Sequence, residues 1–311
     1  MSNAMKSDAF KNLICFVLIL YHWTVGAIMA LLPRSLKHKD IKGETVLITG
    51  GGSGLGRNLA CRFAKLGCRI VIWDINAHGM NETAARIKKL GSPVFTFQVD
   101  ISNRESVYET AIKTKQLAGP ITILVNNAGI VTGKRFIDLQ DDDIDRTMAV
   151  NCTSNFWIIK SFLGNMMANN HGHIVTISSV AGLSGGPRLA DYCASKFASV
   201  GIDESLRYEM KTEGYDGIHC TVVCPWFINT GMFDGVKTKY MGLLDSDYVA
   251  DEIISGILAN QEIIVVPKLI YFLLFIKSFL PSQASYYIIK LIGGDTAMMT
   301  FHGRANKVKH G

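Results

Sequence analysis

The stretch Thr49-Gly50-Gly51-Gly52-Ser53-Gly54-Leu55-Gly56-Arg57 follows a short apolar run, residues 44–49, and opens a helical pattern at residues 54–66. Glycines between a strand and a helix allow a tight turn and a close approach of a pyrophosphate to backbone N–H groups, and the helix start adds its positive end. The alternative is a flexible glycine-rich turn. The position between strand and helix favours a dinucleotide site, with contacts at Gly50, Ser53, Gly54, Leu55 and Gly56.

Beyond this turn, apolar runs continue to alternate with helical patterns. Further strands are predicted at residues 69–73, 93–99, 121–126, 173–178, 218–224 and 262–266, and further helices near 103–117, 141–168, 189–213 and 247–260. Strands that are rich in β-branched residues and almost uncharged are typical of a parallel sheet covered by helices on both faces. The sequence therefore predicts an α/β fold with a single doubly wound parallel-sheet (Rossmann) domain over residues 40–267.

The second predicted strand leads to Asp74, eighteen residues after Gly56. A carboxylate in this place can accept hydrogen bonds from the adenosine ribose hydroxyls and would repel a 2′-phosphate. Neither Ser53 nor Ile75 supplies the cation that such a phosphate requires. We therefore predict NAD rather than NADP as the cofactor, although an acidic residue at a strand end can also be a helix cap. Asp100 and Ile101 follow the third strand, and both are expected to reach the adenine.

Tyr192 and Lys196 are four positions apart in a predicted helix, so their side chains project from one face. The unperturbed pKa of a phenol is about 10, and a nearby ammonium favours the phenolate and lowers that pKa. Such a pair can exchange a proton with an alcohol or a carbonyl. Because Tyr-x-x-x-Lys also arises by chance on solvated helix faces, the pair needs support from other motifs.

The net charge of +6 comes largely from a basic cluster at residues 34–42 and a basic tail at residues 304–309. This placement favours contact with an anionic membrane surface and argues against nucleic acid as the partner. The seven cysteines form no CxxC pair and show no zinc spacing, so we predict no metal site. Scattered thiols of this kind are typical of the reducing cytosol.

The segment LICFVLILYHWTVGAIMALL at residues 13–32 carries no formal charge. Twenty such residues in a helix span about 30 Å, enough to cross the hydrocarbon core of a bilayer. A cleaved signal peptide and a buried core helix are alternatives. The length of the run and the lack of an amphipathic pattern favour a membrane anchor at residues 1–36. The basic cluster that follows it predicts that the main domain faces the cytosol.

The chain beyond Pro267 forms a hydrophobic extension and basic tail at residues 268–311. Its two apolar segments, residues 269–280 and 286–292, are each too short to span a bilayer. One interpretation is a C-terminal helix that packs over a substrate cleft, and the other is an interfacial segment that lies on the membrane. The two interpretations are compatible, and the sequence favours neither.

Further motifs follow in a fixed order along the chain. Asn126-Asn127-Ala128-Gly129 follows the fourth strand, Asn151 lies in a helix, and Ser179, after the fifth strand, precedes Tyr192 by thirteen residues. With the glycine motif, these make residues 40–270 similar to the short-chain dehydrogenase/reductase family. Within it the chain resembles the membrane-associated retinol dehydrogenases and 17-beta-hydroxysteroid dehydrogenases, through stretches that include residues 73–76, 127–134, 191–197, 230–233 and 277–281.

The resemblance implies a role for each motif. Tyr192 would exchange the proton of the substrate hydroxyl, Lys196 would lower the pKa of Tyr192 and hold the nicotinamide ribose, and Ser179 would bind the substrate oxygen. Asn151 would help to order a water that relays protons, although it can also be a simple helix-start residue. Further cofactor contacts are implied at Asn127, Ala128, Gly129, Pro225, Ile228 and Thr230.

The resemblance also implies the class of substrate. Where many members of the family have Pro-Gly after the sixth strand, this chain has Pro225-Trp226, and the large ring is expected to narrow the site beside the nicotinamide. Candidates for an apolar substrate wall are Leu183, Trp226, Met232 and Phe233. The expected reaction is NAD-dependent interconversion of a lipophilic alcohol and its carbonyl, retinol to retinal first. A 17-beta-hydroxysteroid dehydrogenase and a lipid-droplet scaffold with little turnover are alternatives.

The same resemblance implies a homodimer formed through the helices near residues 141–168 and 189–213. It also implies attachment to the endoplasmic reticulum membrane or to a lipid droplet, with the catalytic domain facing the cytosol.

Overall fold

The computed structural model of the chain describes residues 3–303, so the basic tail predicted at residues 304–309 lies outside the described residues. The chain divides into two compact units, with the boundary between Lys39 and Asp40. The first unit contains helix α1, which spans Asn3–Leu31, and a short 3-10 turn at Arg34–Lys37.

Within α1, the 20 residues Phe10–Met29 have a mean hydropathy of 1.8 and none of them is buried. Among the described residues, this is the one helix that is long and apolar enough to cross a membrane. A core helix of a soluble domain would instead bury most of such a surface.

The second unit is built around seven parallel strands in the order β3-β2-β1-β4-β5-β6-β7. The strand bounds are β1 Thr45–Thr49, β2 Arg69–Asp74, β3 Val94–Gln98, β4 Ile123–Asn126, β5 Gly172–Ile177, β6 Ile218–Pro225 and β7 Ile263–Val266. The predicted doubly wound parallel sheet is thus confirmed. The strand order reverses between β1 and β4, and ligands bind at such a switch point in open α/β sheets.

Helices cover both faces of the sheet. They are α2 Gly54–Lys65, α3 Ala77–Lys89, α4 Arg104–Ala118, α5 Asp141–Met148, α6 Ser154–Ala168, α7 Ala190–Thr212, α8 Ser246–Leu258, α9 Leu269–Phe279 and α10 Ser282–Leu291. Alternate residues of β1 serve the two cores: Val46 and Ile48 pack with α2 and α8, whereas Leu47 packs with α4 and α6. This two-sided burial explains the nearly continuous apolar character of the strands.

Two features of the helices differ from the sequence prediction. Helix α3 was not predicted, although Asn76 marks its start by accepting a hydrogen bond from the N–H of Gly79 at 3.1 Å. The helix predicted near residues 141–168 is interrupted by a π-helical turn at Ala149–Thr153. Such turns widen a helix locally and occur often at functional sites, and this one contains Asn151.

Candidate active site

The glycine-rich turn after β1 folds so tightly that side chains are excluded from it. Gly50 has a φ of +66°, and its N–H donates to the carbonyl of Trp73 at 2.7 Å. A Cβ atom on Gly56 would lie 2.3 Å from the oxygen of Gly50 and 2.6 Å from Nδ2 of Asn127. Only glycine therefore fits at residue 56, and the start of α2 is held against the end of β1.

Asp74 and Arg57 hold the two sides of the Gly52 peptide in this turn. The carboxylate of Asp74 accepts the Gly52 N–H at 2.8 Å, and the guanidinium of Arg57 donates to the Gly52 carbonyl at 2.6 Å. Arg57 also forms a salt bridge with Glu82 at 2.7 Å. The cation beside the turn is therefore already paired, while Asp74 faces the cleft at the end of β2.

Asn127 fixes the end of β4 against the glycine turn. Its Nδ2 donates to the carbonyl of Thr49 at 2.9 Å, and the N–H groups of Asn127 and Ala128 both donate to Oγ1 of Thr49, at 3.0 and 3.1 Å. At Gly129, an added Cβ would lie 3.4 Å from Oδ1 of Asn151. The motif after β4 thus closes the floor of the cleft between β1 and β4.

Asn151 braces this floor from the π-helical turn. Its Oδ1 accepts the N–H of Ile130 at 2.8 Å, and its Nδ2 donates to the carbonyl of Ile130 at 2.9 Å and to Oγ of Ser195 at 3.0 Å. Its own carbonyl accepts a hydrogen bond from Oγ of Ser199 at 3.0 Å. The buried amide therefore ties the loop after β4 to α7, the helix that carries Tyr192 and Lys196.

Tyr192 and Lys196 lie on the buried face of α7 and turn toward the end of β5. The Nζ atom of Lys196 donates to the carbonyl of Ile177 at 2.8 Å and lies 5.6 Å from the centroid of the Tyr192 ring. Ser179 follows β5, where its Oγ accepts the N–H of Ala181 at 3.1 Å. The predicted serine, tyrosine and lysine are thus brought to the same place.

Burial shifts the two titratable groups in opposite directions. It raises the pKa of Tyr192 above its ordinary value, and a hydrogen bond with Ser179 partly offsets that rise. Burial lowers the pKa of Lys196 to about 8. Burial therefore favours the neutral phenol of Tyr192 and the neutral amine of Lys196, because it penalises the charged form of each group. The sequence implied that Lys196 lowers the pKa of Tyr192, whereas in this fold burial is the largest effect and the pKa is raised.

A cleft of about 320 Å³ collects most of the predicted site residues. The predicted residues that line it are Gly50, Ser53, Leu55, Gly56, Asp74, Ile75, Asp100, Ile101, Asn127, Ala128, Gly129, Ser179, Tyr192, Lys196, Pro225, Trp226, Ile228, Thr230, Met232 and Phe233. The predicted residues Gly54, Asn151 and Leu183 do not line the cleft; Gly54 begins α2, and Asn151 lies in the π-helical turn. Other lining residues were not predicted: Trp73 and Asn76 flank the predicted pair in the stretch 73–76, whereas Val99, Arg146 and Val150 belong to no motif.

The residues of the cleft fit a dinucleotide. A Cβ on Gly50 would lie 2.9 Å from the backbone of Ala128, so the glycine turn packs directly against the loop after β4. Backbone N–H groups at the start of α2 suit a pyrophosphate, and Asp74 stands at the end of β2, where a ribose is expected. Lys196, at the other end of the cleft, is placed to hold the second ribose.

A second, apolar cavity of about 110 Å³ meets the cleft at Ser179, Tyr192, Pro225 and Trp226. Its far walls are formed by the C-terminal helices α9 and α10, chiefly through Leu273, Leu274, Ile288, Ile289 and Ile292. The C-terminal helices thus cover an apolar pocket beside the tyrosine. Their outer faces expose large apolar side chains, among them Phe272, Phe275, Phe279 and Tyr287.

The four predicted wall residues occupy different places. Trp226 lines both cavities, whereas Met232 and Phe233 line the cleft, where the ring of Phe233 contacts that of Tyr192 edge-on with a centroid separation of 6.0 Å. Leu183 packs beside Trp226 against the cluster that contains Ile270. Helices α9 and α10 supply a further part of the apolar wall, a contribution that the sequence suggested without naming residues.

The chain is similar to known dehydrogenases, as expected from this site. Residues 44–240 match the family model described as short chain dehydrogenase. The chain is 45% identical to human epidermal retinol dehydrogenase 2, over 93% of this chain and 94% of that protein. It is 41% identical to human 17-beta-hydroxysteroid dehydrogenase 13, over 88% and 90% of the two chains.

Among solved structures, a short chain dehydrogenase/reductase from Burkholderia phymatum in complex with NAD superposes with a TM-score of 0.71 and 25% identity. The match covers 77% of this chain and 94% of that one. The glycine turn, the cleft with Ser179, Tyr192 and Lys196, and these matches lead to one conclusion: the chain belongs to the short-chain dehydrogenase/reductase family, whose members are oxidoreductases that use a nicotinamide dinucleotide.

Proposed function

We propose that this protein is an NAD-dependent dehydrogenase that interconverts a lipophilic alcohol and its carbonyl, with retinol to retinal as the leading reaction. The observation that carries the proposal is the junction of the two cavities. Ser179 and Tyr192 line both the polar cleft and the apolar cavity. A substrate hydroxyl held there has a proton-exchanging phenol beside it and an apolar pocket for its body.

A bound nicotinamide dinucleotide would supply the hydride acceptor for oxidation of the alcohol. Tyr192 accepts the hydroxyl proton at its phenolic oxygen during oxidation and returns it during reduction. Ser179 holds the substrate oxygen and stabilises charge on the tyrosine. Lys196 would contribute a positive charge beside the ring of Tyr192 and would hold the nicotinamide ribose. Asn151 is a positioning residue, because its side chain amide is hydrogen-bonded to Ile130 and Ser195 and holds them in place.

The preference for NAD over NADP is proposed from the surroundings of Asp74. Its carboxylate, fixed by the N–H groups of Gly52 and Asn76, would repel a 2′-phosphate. The nearby cation of Arg57 is engaged by Glu82 and by backbone carbonyls. A ribose with a free 2′-hydroxyl suits this environment better than a phosphorylated one.

The retinol assignment rests on relatives that carry the name retinol dehydrogenase and on the apolar cavity. A hydroxysteroid substrate is the second candidate, because a relative is named 17-beta-hydroxysteroid dehydrogenase. The test is a turnover screen of the full-length protein in detergent with retinoids, steroids and fatty alcohols, each with NAD and NADP. Reduction of NAD with retinol supports the proposal, a strong preference for steroids favours the alternative, and no turnover with any alcohol contradicts it.

Membrane attachment through α1 belongs to the same proposal, with the catalytic unit on the cytosolic side of the endoplasmic reticulum or on a lipid droplet. A lipid-soluble substrate is concentrated in the membrane, so an enzyme that is anchored there meets its substrate at high local concentration. Deletion of residues 1–33 is expected to lower the fraction of protein that sediments with membranes, and unchanged sedimentation would contradict an anchor role. Imaging of a fluorescent fusion distinguishes the two compartments.

A homodimer through α6 and α7 is proposed because Phe156 and Phe197 are exposed there, by 49% and 47%. Light scattering in detergent tests it, and a monomer over the whole concentration range would contradict it.

A further inference from the structure

Lys277 brings an ammonium to the wall of the apolar cavity. It lies near the end of α9, is half-buried, and is the only charged residue among the described residues that line this cavity. Apart from Ser179 and Tyr192, the remaining lining is mainly aliphatic and aromatic side chains with a few glycines and serines. Partial burial of this charge among apolar side chains costs free energy unless polar groups compensate for the lost hydration.

The contacts of Lys277 within the protein are with neutral groups. Its Nζ donates to the carbonyl of Leu183 at 3.2 Å and to Oγ of Ser184 at 3.1 Å. No carboxylate of the described part of the chain lies within salt-bridge distance of it. Because an ammonium has three N–H donors, one donor and the whole positive charge are left for a ligand in the cavity.

The position of Lys277 is separated from the reacting end of the cavity. Ile270, two turns earlier on α9, packs with Val180 and Cys224 close to Ser179 and Trp226. Seven residues of helix correspond to a rise of about 10 Å, so the Cα atom of Lys277 lies roughly that far along α9 from that of Ile270, and its ammonium contacts Leu183 and Ser184 rather than Ser179 itself. The cavity therefore has a polar group at each of two separated places and an apolar surface between them.

We infer that the cavity accepts lipophilic alcohols that carry a second, acceptor oxygen function at a distance from the hydroxyl, a carboxylate above all, and that Lys277 binds this function. The inference rests on the proposed function, since Tyr192 must act on the hydroxyl. A carboxylate is favoured because a hydrogen bond between two charged groups is stronger than one between neutral groups. Lys277 is thereby a specificity-determining residue.

The experiment compares an ω-hydroxy fatty acid with the n-alcohol of the same chain length, across several lengths, in detergent with NAD. The wild type is expected to prefer the acid in kcat/KM by about tenfold or more at the best length, the size of a charge-assisted hydrogen bond. Lys277→Met should abolish that preference while the kcat/KM of the plain alcohol stays within about twofold. Lys277→Arg, which keeps the charge, should retain a preference for the acid, and the exposed control Lys290→Met should leave both values unchanged.

Several outcomes would overturn the inference. If Lys277→Met lowers the turnover of acid and alcohol equally, Lys277 only fastens α9 to the Leu183–Ser184 turn. If the wild type oxidises retinol and plain alcohols with no preference for an acid at any length, the inference fails and the proposed function stands. If the wild type oxidises no alcohol at all, the proposed function fails and the inference falls with it.

Discussion

The Nζ atom of Lys196 lies 5.6 Å from the centroid of the Tyr192 ring, and both side chains are almost completely buried on one face of α7. Lys196 is held in this position by the carbonyl of Ile177 at 2.8 Å. Burial raises the pKa of Tyr192 and lowers the pKa of Lys196 to about 8. Burial thus disfavours the charged form of each group, so the charge on Lys196 influences how readily Tyr192 gives up its proton.

The pKa of Lys196 predicts a pH dependence of carbonyl reduction. This direction requires a protonated Tyr192 and a charged Lys196, and the ammonium predominates only below its pKa of about 8. We expect kcat/KM for reduction to be highest below that pH and to fall above it. In Lys196→Arg the cation persists to higher pH, so the decline should move upward. A pH profile of the two proteins checks this, and a flat wild-type profile between about pH 6 and 10 would contradict it.

Gly56→Ala is predicted to weaken nucleotide binding. The added methyl group would lie 2.3 Å from the oxygen of Gly50, so the turn must open. We expect the Kd for NAD to rise by at least about tenfold in a titration, because a displacement that loses one charge-assisted contact costs about that much. Gly164→Ala is the matched control, since nothing lies within 4 Å of a Cβ there. Equal affinity in both variants would show that the turn does not hold the dinucleotide.

Asp74→Asn is predicted to change the choice of cofactor. The amide keeps the shape of the side chain and one acceptor for the Gly52 N–H but removes the charge that opposes a 2′-phosphate. The ratio of kcat/KM for NADP to that for NAD is expected to rise by about tenfold, the effect of roughly 1.4 kcal/mol of relieved repulsion. An unchanged ratio, or a wild type that already prefers NADP, would contradict the role proposed for Asp74.

Leu274→Trp is predicted to block the apolar cavity, because Leu274 lines it from α9. We expect a several-fold higher KM for long-chain alcohols, with NAD affinity unchanged, since overpacking of a filled site typically costs about 1–3 kcal/mol. Phe272→Trp, on the exposed outer face of the same helix, is the control. If both variants oxidise long alcohols like the wild type, the substrate does not occupy this cavity.

The doubly wound sheet was predictable because its strands are buried on both faces and read as continuous apolar runs. The glycine turn was equally predictable from the sequence. Only glycine fits at residue 56, because any Cβ there would lie 2.3 Å from the oxygen of Gly50. Helix α3 was missed because only its Asn76 cap marked its start. The π-helical turn around Asn151 was missed because no pattern of side chains distinguishes it from a continuous helix.

The apolar cavity was harder to predict from the sequence than the candidate catalytic residues. Ser179, Tyr192 and Lys196 follow a motif with fixed spacing, but Leu274 and Lys277 contribute only through the way α9 packs back over Trp226. The pKa of Tyr192 was also hard to anticipate. The spacing to Lys196 suggested a lowered value, whereas burial, which only the fold reveals, raises it.

The most direct test of the account is the turnover of Tyr192→Phe with retinol and NAD, measured beside Tyr208→Phe, an exposed tyrosine on the same helix. Removal of the proton-exchanging hydroxyl should lower kcat/KM by about 10² to 10⁴, while NAD binding and thermal stability stay close to those of the wild type and Tyr208→Phe keeps full activity. Retinol oxidation by Tyr192→Phe within about twofold of the wild-type rate would contradict the role of Tyr192 as the group that takes the substrate proton.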